Sequence, residues 1–123
     1  MAFMEDVRCR TYIAGQDLSA SQFHFVTLAA DGQVDPTGAG LRADGVLLNT
    51  PDAAGKAATV AYDGRVTVEA GGDITRGAAV TSNATGEAVA ATSTDVILGY
   101  ALEAGADGQI ITIELSRAET VVA

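Results

Sequence analysis

Apolar and polar positions alternate along the chain in short runs separated by glycine-rich turns. No segment of ten or more residues holds a helical period, and Gly or Pro interrupts most candidates. QFHFVTLA (22–29) predicts a strand, followed by ADGQ, a turn with Asp-Gly at its centre. GVLLN (45–49) comes next, then the turn-like TPDAAG, then ATVAY (58–62). That last segment runs into Asp63-Gly64 and at once into RVTVEA (65–70). An Asp-Gly between two alternating segments is the strongest hairpin signal in the chain, because Gly accepts the positive φ of a tight primed turn. In RVTVEA, Val66 and Val68 point to one face while Arg65, Thr67 and Glu69 point to the other, the pattern of a half-buried antiparallel strand.

Residues 71–91, GGDITRGAAVTSNATGEAVAA, are nearly all small. AAVTS (78–82) and EAVAAT (87–92) flank Asn83–Gly86, which predicts a short hairpin with turn residues at its tip. Gly71-Gly72-Asp73 turns the chain, Ile74 is expected in the core, and Gly77 permits a sharp bend. VILGYALE (96–103) and QIITIELS (109–116), joined by AGADG, are the two richest strands.

An internal echo accompanies this layout. GVLLNTPDAAGKAATVAY (45–62) and GYALEAGADGQIITIEL (99–115) share one plan: Gly, a short apolar strand, a small-residue turn ending in Gly, one polar residue, and a strand with Thr between apolar neighbours. Two β-hairpins of similar build follow from it, in an up-down barrel or a sandwich. Residues 1–21 differ, with isolated apolar anchors and no period, and are expected to form an N-terminal arm ahead of a single β-domain at 22–123. The stretch Asp35-Pro36-Thr37-Gly38-Ala39-Gly40 is expected to be a loop separating this first third from the β-domain proper.

Composition sharpens the picture. One domain fits 123 residues, but alanine supplies much of the 48% hydrophobic content and Trp is absent. Val and Ile outnumber Leu, which favours a pleated sheet with a thin core that borrows stability from an oligomer or a partner surface. The net charge of −9, with seven scattered basic residues, argues against nucleic acid as a direct ligand and favours solubility. The N-terminal sequence lacks an apolar signal-peptide region, and no stretch approaches a membrane span, so synthesis in a host cytoplasm is expected, with no membrane partner.

Candidate chemistry is sparse. Cys9 is the lone cysteine and His24 the lone histidine, the latter expected to be a packed or surface side chain on its strand. Gly38-Ala39-Gly40-Leu41-Arg42-Ala43 fits a loose dinucleotide pattern, but Asp44-Gly45 breaks the helix that should follow. Gly55-Lys56 lacks the preceding Gly and following Ser or Thr of a phosphate-binding loop. The Asp-Gly pairs lack the ligand spacing of a calcium loop and are turns. Lys56, in a turn, stands where a lipoyl- or biotinyl-type carrier domain places its modified lysine, but its flanks match neither motif. No catalytic triad, metal cluster, cofactor or small-molecule substrate is expected, and the chain is read as a non-enzymatic structural or binding protein.

From Gly45 onward the chain resembles the small Gly/Ala/Val-rich phage proteins that decorate or cement capsids. The resemblance rests on GRVTVEAGGDITRG (Gly64–Gly77), the stretch Val80–Ala90, and GYALEAGADGQIITIEL (Gly99–Leu115). It implies an all-β, β-tulip-like small barrel or sandwich, a homotrimer on the outer surface of the virion head, and the major capsid protein as partner. It implies no cofactor and no catalysis. The alternatives are another virion β-protein, such as a head-fibre base or tail component, or a small carrier domain. Under the cement reading, the arm supplies capsid contact, with Phe3 and Tyr12 as apolar anchors and Arg8 and Arg10 facing acidic capsid groups.

Overall fold

The computed structural model describes residues 7–116 and 121–122, and no helix forms among them. Ten strands do: β1 (Arg8–Ala14), β2 (Phe25–Ala30), β3 (Gln33–Pro36), β4 (Gly45–Leu47), β5 (Ala57–Asp63), β6 (Arg65–Glu69), β7 (Ala79–Ser82), β8 (Ala88–Ala90), β9 (Gly99–Ala101) and β10 (Ile110–Leu115). The first five close into a barrel in the order β1-β3-β2-β4-β5, with β1 returning to β5. The other five form a sheet in the order β6-β10-β9-β7-β8. The fold is therefore all-β, a small barrel joined to a second sheet, in keeping with the alternation of the sequence.

The two halves have the same topology, strand for strand. In the barrel β1 pairs β5, β5 pairs β4, β4 pairs β2 and β2 pairs β3. In the sheet β6 pairs β10, β10 pairs β9, β9 pairs β7 and β7 pairs β8. The registers also correspond: Val26 opposes Gly45 as Val80 opposes Gly99, and Leu47 opposes Val60 as Ala101 opposes Ile113. The parallel β1–β3 pair that closes the barrel at Ala14 and Val34 has its counterpart in an isolated parallel bridge between Ala70 and Ala88. The echo between the 45–62 and 99–115 segments is thus part of a repeat that spans most of the chain.

Packing follows the same repeat. The barrel interior holds Ala14, Leu18, Val26, Val34, Leu47, Ala58 and Val60. Their register equivalents Ala70, Ile74, Val80, Ala88, Ala101, Ile111 and Ile113 all lie in the second core. That second core also takes Phe25, Val46 and Ala61, which point outward from the barrel strands β2, β4 and β5. One sheet's outer face is therefore the other's core lining, and two thin cores become one stable body.

Three expectations from the sequence are corrected. Asp63-Gly64 does not close a hairpin, because β5 and β6 pair with different strands and belong to different sheets. Gly64, at φ 106°, is instead the crossover between the two halves. Residues 8–14, assigned to an arm, form barrel strand β1, with backbone pairing to β5 over most of its length. Gln33–Pro36, half of which was read as loop, forms β3, which seals the barrel against β1.

Candidate functional site

Strand β1 carries three of the four residues singled out from the sequence. Arg8, Arg10 and Tyr12 alternate along it and share a face with buried Ala14. The row begins in the barrel core, where Tyr12 packs against the buried cluster, and emerges into solvent at Arg10 and Arg8. The β1–β5 register shifts between Arg8 and Cys9: Arg8 opposes Asp63 and Cys9 opposes Ala61, so that Tyr62 is the extra residue on β5. Such a bulge re-aims the side chain at the extra position. Here it sets the Tyr62 ring beneath the Arg10 guanidinium, 4.4 Å from its centroid. Hydrogen bonding to Tyr12, and then to Tyr62, raises the Arg10 pKa further above its ordinary value. The result is an exposed cation held between two tyrosines. Phe3 lies outside the described residues.

The sequence reading did not include Tyr62, which joins this face only because of the bulge. Of the other cations, Arg42 pairs with Asp44 at 3.2 Å, Lys56 with Asp52 at 2.5 Å and Arg65 with Glu114 at 3.6 Å. Lys56 and Asp52 are both exposed, and that contact holds the Asp52 carboxyl below and the Lys56 amine above their usual ranges. Cys9 is exposed on β1, with no disulfide.

A second cluster sits at the seam between the halves. In the barrel the Ile13 N–H reaches the Gly32 carbonyl directly, at 2.8 Å. In the second half the equivalent groups are held apart by residues 23–25. Glu69 N–H donates to Phe23 O at 3.0 Å, and Phe25 N–H donates to Gly86 O at 2.7 Å. Gly86 is required there, since its φ is +88° and a Cβ would fall 2.6 Å from Phe25 O. This wedge carries His24, only 7% exposed, to Glu69 and Glu87.

The local chemistry is tightly bonded. His24 Nε2 lies 2.9 Å from Glu69 Oε1, and Nδ1 lies 3.1 Å from the Thr85 carbonyl oxygen. Asn83 Nδ2 donates to Glu87 Oε1 at 3.0 Å, and Thr85 Oγ1 lies 3.2 Å from the same oxygen. The Asn83 amide, with Thr85 and the His24 ring adding to it, holds the Glu87 carboxyl below its ordinary range despite partial burial. Among the described residues these three side chains form the group whose ligand atoms converge, all within 4.8 Å of one another. A cleft of about 560 Å³, lined in part by Asp17, Ser21, Asp35 and Thr85, opens onto His24.

Comparison with known proteins places this geometry in context. The family described as "Phage cement protein" matches residues 14–116. No curated protein sequence matches the chain. Among solved structures, the fold is similar to the head fiber gp8.5 N base of bacteriophage phi29, with a TM-score of 0.74 and 22% identity. That likeness covers 94% of this chain and 98% of the other.

Proposed function

This chain belongs to the phage cement protein family, and from that premise we propose that it binds the outer surface of a phage capsid as a homotrimer and bridges neighbouring major capsid subunits. The contact is made by the β1 face, with Arg8 and Arg10 meeting acidic capsid groups and Tyr12 providing apolar anchorage, and Phe3, in the segment ahead of β1, is a further apolar anchor. The observation that carries this reading is Arg10, exposed yet already held against Tyr62 and Tyr12. Arg and Tyr are the side chains most often found at energetic centres of interfaces, and a held side chain loses little entropy on binding. Small side chains elsewhere let strands and protomers approach closely, and repetition over a symmetric shell turns modest contacts into avidity.

Binding to heads lacking the protein tests it. Arg10→Ala and Tyr62→Ala are expected to lower occupancy about tenfold each, the effect of losing one interface anchor. Removing residues 1–6 tests Phe3 without removing β1. Unchanged occupancy in all three variants, with folding intact, would sink the reading. Sedimentation velocity of the free protein tests the trimer.

A second reading is favoured by the fold likeness to a head-fibre base: the chain seats a fibre on the head and does not bridge subunits. Heads decorated with this protein would then carry fibre density, and subunit junctions would be left uncovered in electron microscopy.

A further inference from the structure

We propose that His24, Glu69 and Glu87 bind one divalent transition-metal ion of the zinc type, which staples the two halves together at the wedge. One ligand atom from each of the three side chains converges to within 4.8 Å of the others, and the backbone orients the imidazole among them. Thr85 O is a carbonyl and can only accept, so Nδ1 carries the proton toward it. Nε2 then points toward a carboxylate oxygen 2.9 Å away, Glu69 Oε1. The cleft reaches the ring, which gives an ion a way in. A cation at this point takes a lone pair from each atom. A backbone carbonyl holding Nδ1–H and leaving Nε2 free is also how metal-binding histidines are commonly oriented.

The carboxylates add to the case. Glu69 and Glu87 both bring an oxygen within 4.8 Å of the ring nitrogen and of each other. Like charges this close inside a partly buried seam repel unless a cation lies between them. Asn83 and Thr85 fix the Glu87 oxygen from behind, as partners of a ligating carboxylate do. One imidazole nitrogen and two carboxylate oxygens, with water completing the shell from the adjoining cleft, suit zinc or a similar ion better than magnesium or calcium, which prefer all-oxygen sites.

The repeat supplies an internal control. The register equivalent of His24 is Ala78 in the second half, and those of Glu69 and Glu87 are Ile13 and Gln33 in the barrel, none of which supplies a ligand of this kind. Ligating residues occur at the one seam where the wedge crosses from one half to the other. The ion would link the wedge of the first half to β6 and the β7–β8 turn of the second.

The test uses the full chain, stripped of metal and dialysed against zinc chloride, with magnesium and calcium chlorides as comparisons. Wild type is expected to retain one zinc per chain, and cobalt substitution is expected to give visible d–d absorption. Zinc should raise the melting midpoint by roughly 5 °C, with magnesium and calcium without effect. His24→Gln and Glu87→Gln, checked for native circular dichroism, should each weaken zinc retention at least tenfold. Zinc retention undiminished in both variants would overturn the proposal. So would an absence of bound zinc in wild type.

Discussion

Phe23 occupies the position in the first half that Gly77 occupies in the second: each donates its N–H to the equivalent carbonyl, Leu47 O at 2.7 Å and Ala101 O at 2.8 Å, and each has a positive φ, 66° and 85°. The backbone path is therefore common to both halves, whichever side chain it carries. At a second site the roles are reversed. Gly40, at φ 70°, and Thr94, at φ 71°, lie equally far ahead of Asp44 and Leu98, whose N–H groups bond the equivalent carbonyls of Val26 and Val80.

Thr94 is exposed and β-branched, so its left-handed backbone carries a steric cost with little packing to offset it. Thr94→Asn is expected to stabilise the protein by about 1 kcal/mol, since Asn tolerates this region. An upward shift of the urea midpoint with unchanged slope is the measurement.

Gly45 and Gly99 begin equivalent strands and lie against equivalent carbonyls. A Cβ would fall 2.2 Å from Ala61 O at Gly45 and 2.5 Å from Glu114 O at Gly99. Neither neighbour can yield without breaking its ladder. Gly45→Ala and Gly99→Ala should each cost about 3 kcal/mol. Gly72→Ala, where the nearest atom is 3.9 Å away, should be neutral or stabilising by about 0.5 kcal/mol. Thermal unfolding of the three variants checks the contrast.

Thr81 is 1% exposed, and its buried hydroxyl has no hydrogen-bond partner among the described residues. Its register equivalent Thr27 is satisfied by Thr37 Oγ1 and by the Arg42 carbonyl. Thr81→Val keeps the shape and removes the unmet group, so stability should rise by about 1 kcal/mol. Thr27→Val should lower it by a similar amount. Chemical denaturation of both variants decides the point.

The depressed pKa of Glu87 sets a pH dependence. Its folded value lies below its unfolded value, so its contribution is complete above the ordinary carboxylate range, roughly pH 4.3, and is lost as pH falls through the folded value. Stability in metal-free buffer is expected to decline across that acid window. Asn83→Ala removes the amide that lowers the pKa most, so its stability deficit should shrink as pH falls. Denaturation profiles at several pH values for both proteins measure this.

The strands with strict alternation or rich apolar content were legible in the sequence, as was their organisation into two similar hairpins. GVLLN with ATVAY, and GYALE with QIITIEL, form the equivalent pairs β4–β5 and β9–β10. What escaped was the strand material without a hydrophobic period. In β1, Arg8–Thr11 are exposed, so neither face announces a core. In β3, Asp35 and Pro36 carry turn signals although the strand closes the barrel. Of the proposed contact residues, Arg8, Arg10 and Tyr12 could be picked out by type, but the Tyr62 beneath Arg10 depends on a bulge with no sequence mark.

By itself, then, the sequence determined an all-β chain of short strands, with glycine where turns and close backbone contacts require it and with the family's Gly-rich motifs in order. Those properties are local, set by side-chain period and by the conformations each residue tolerates. Only the tertiary structure decided which strands pair. It made Asp63-Gly64 a crossover and not a hairpin, because β5 and β6 each find a better partner in their own half. It also set His24 between Glu69 and Glu87, residues separated by 45 positions or more except for that between the two carboxylates. Convergence of that kind depends on the wedge at 23–25, a relationship between two halves that no local pattern encodes.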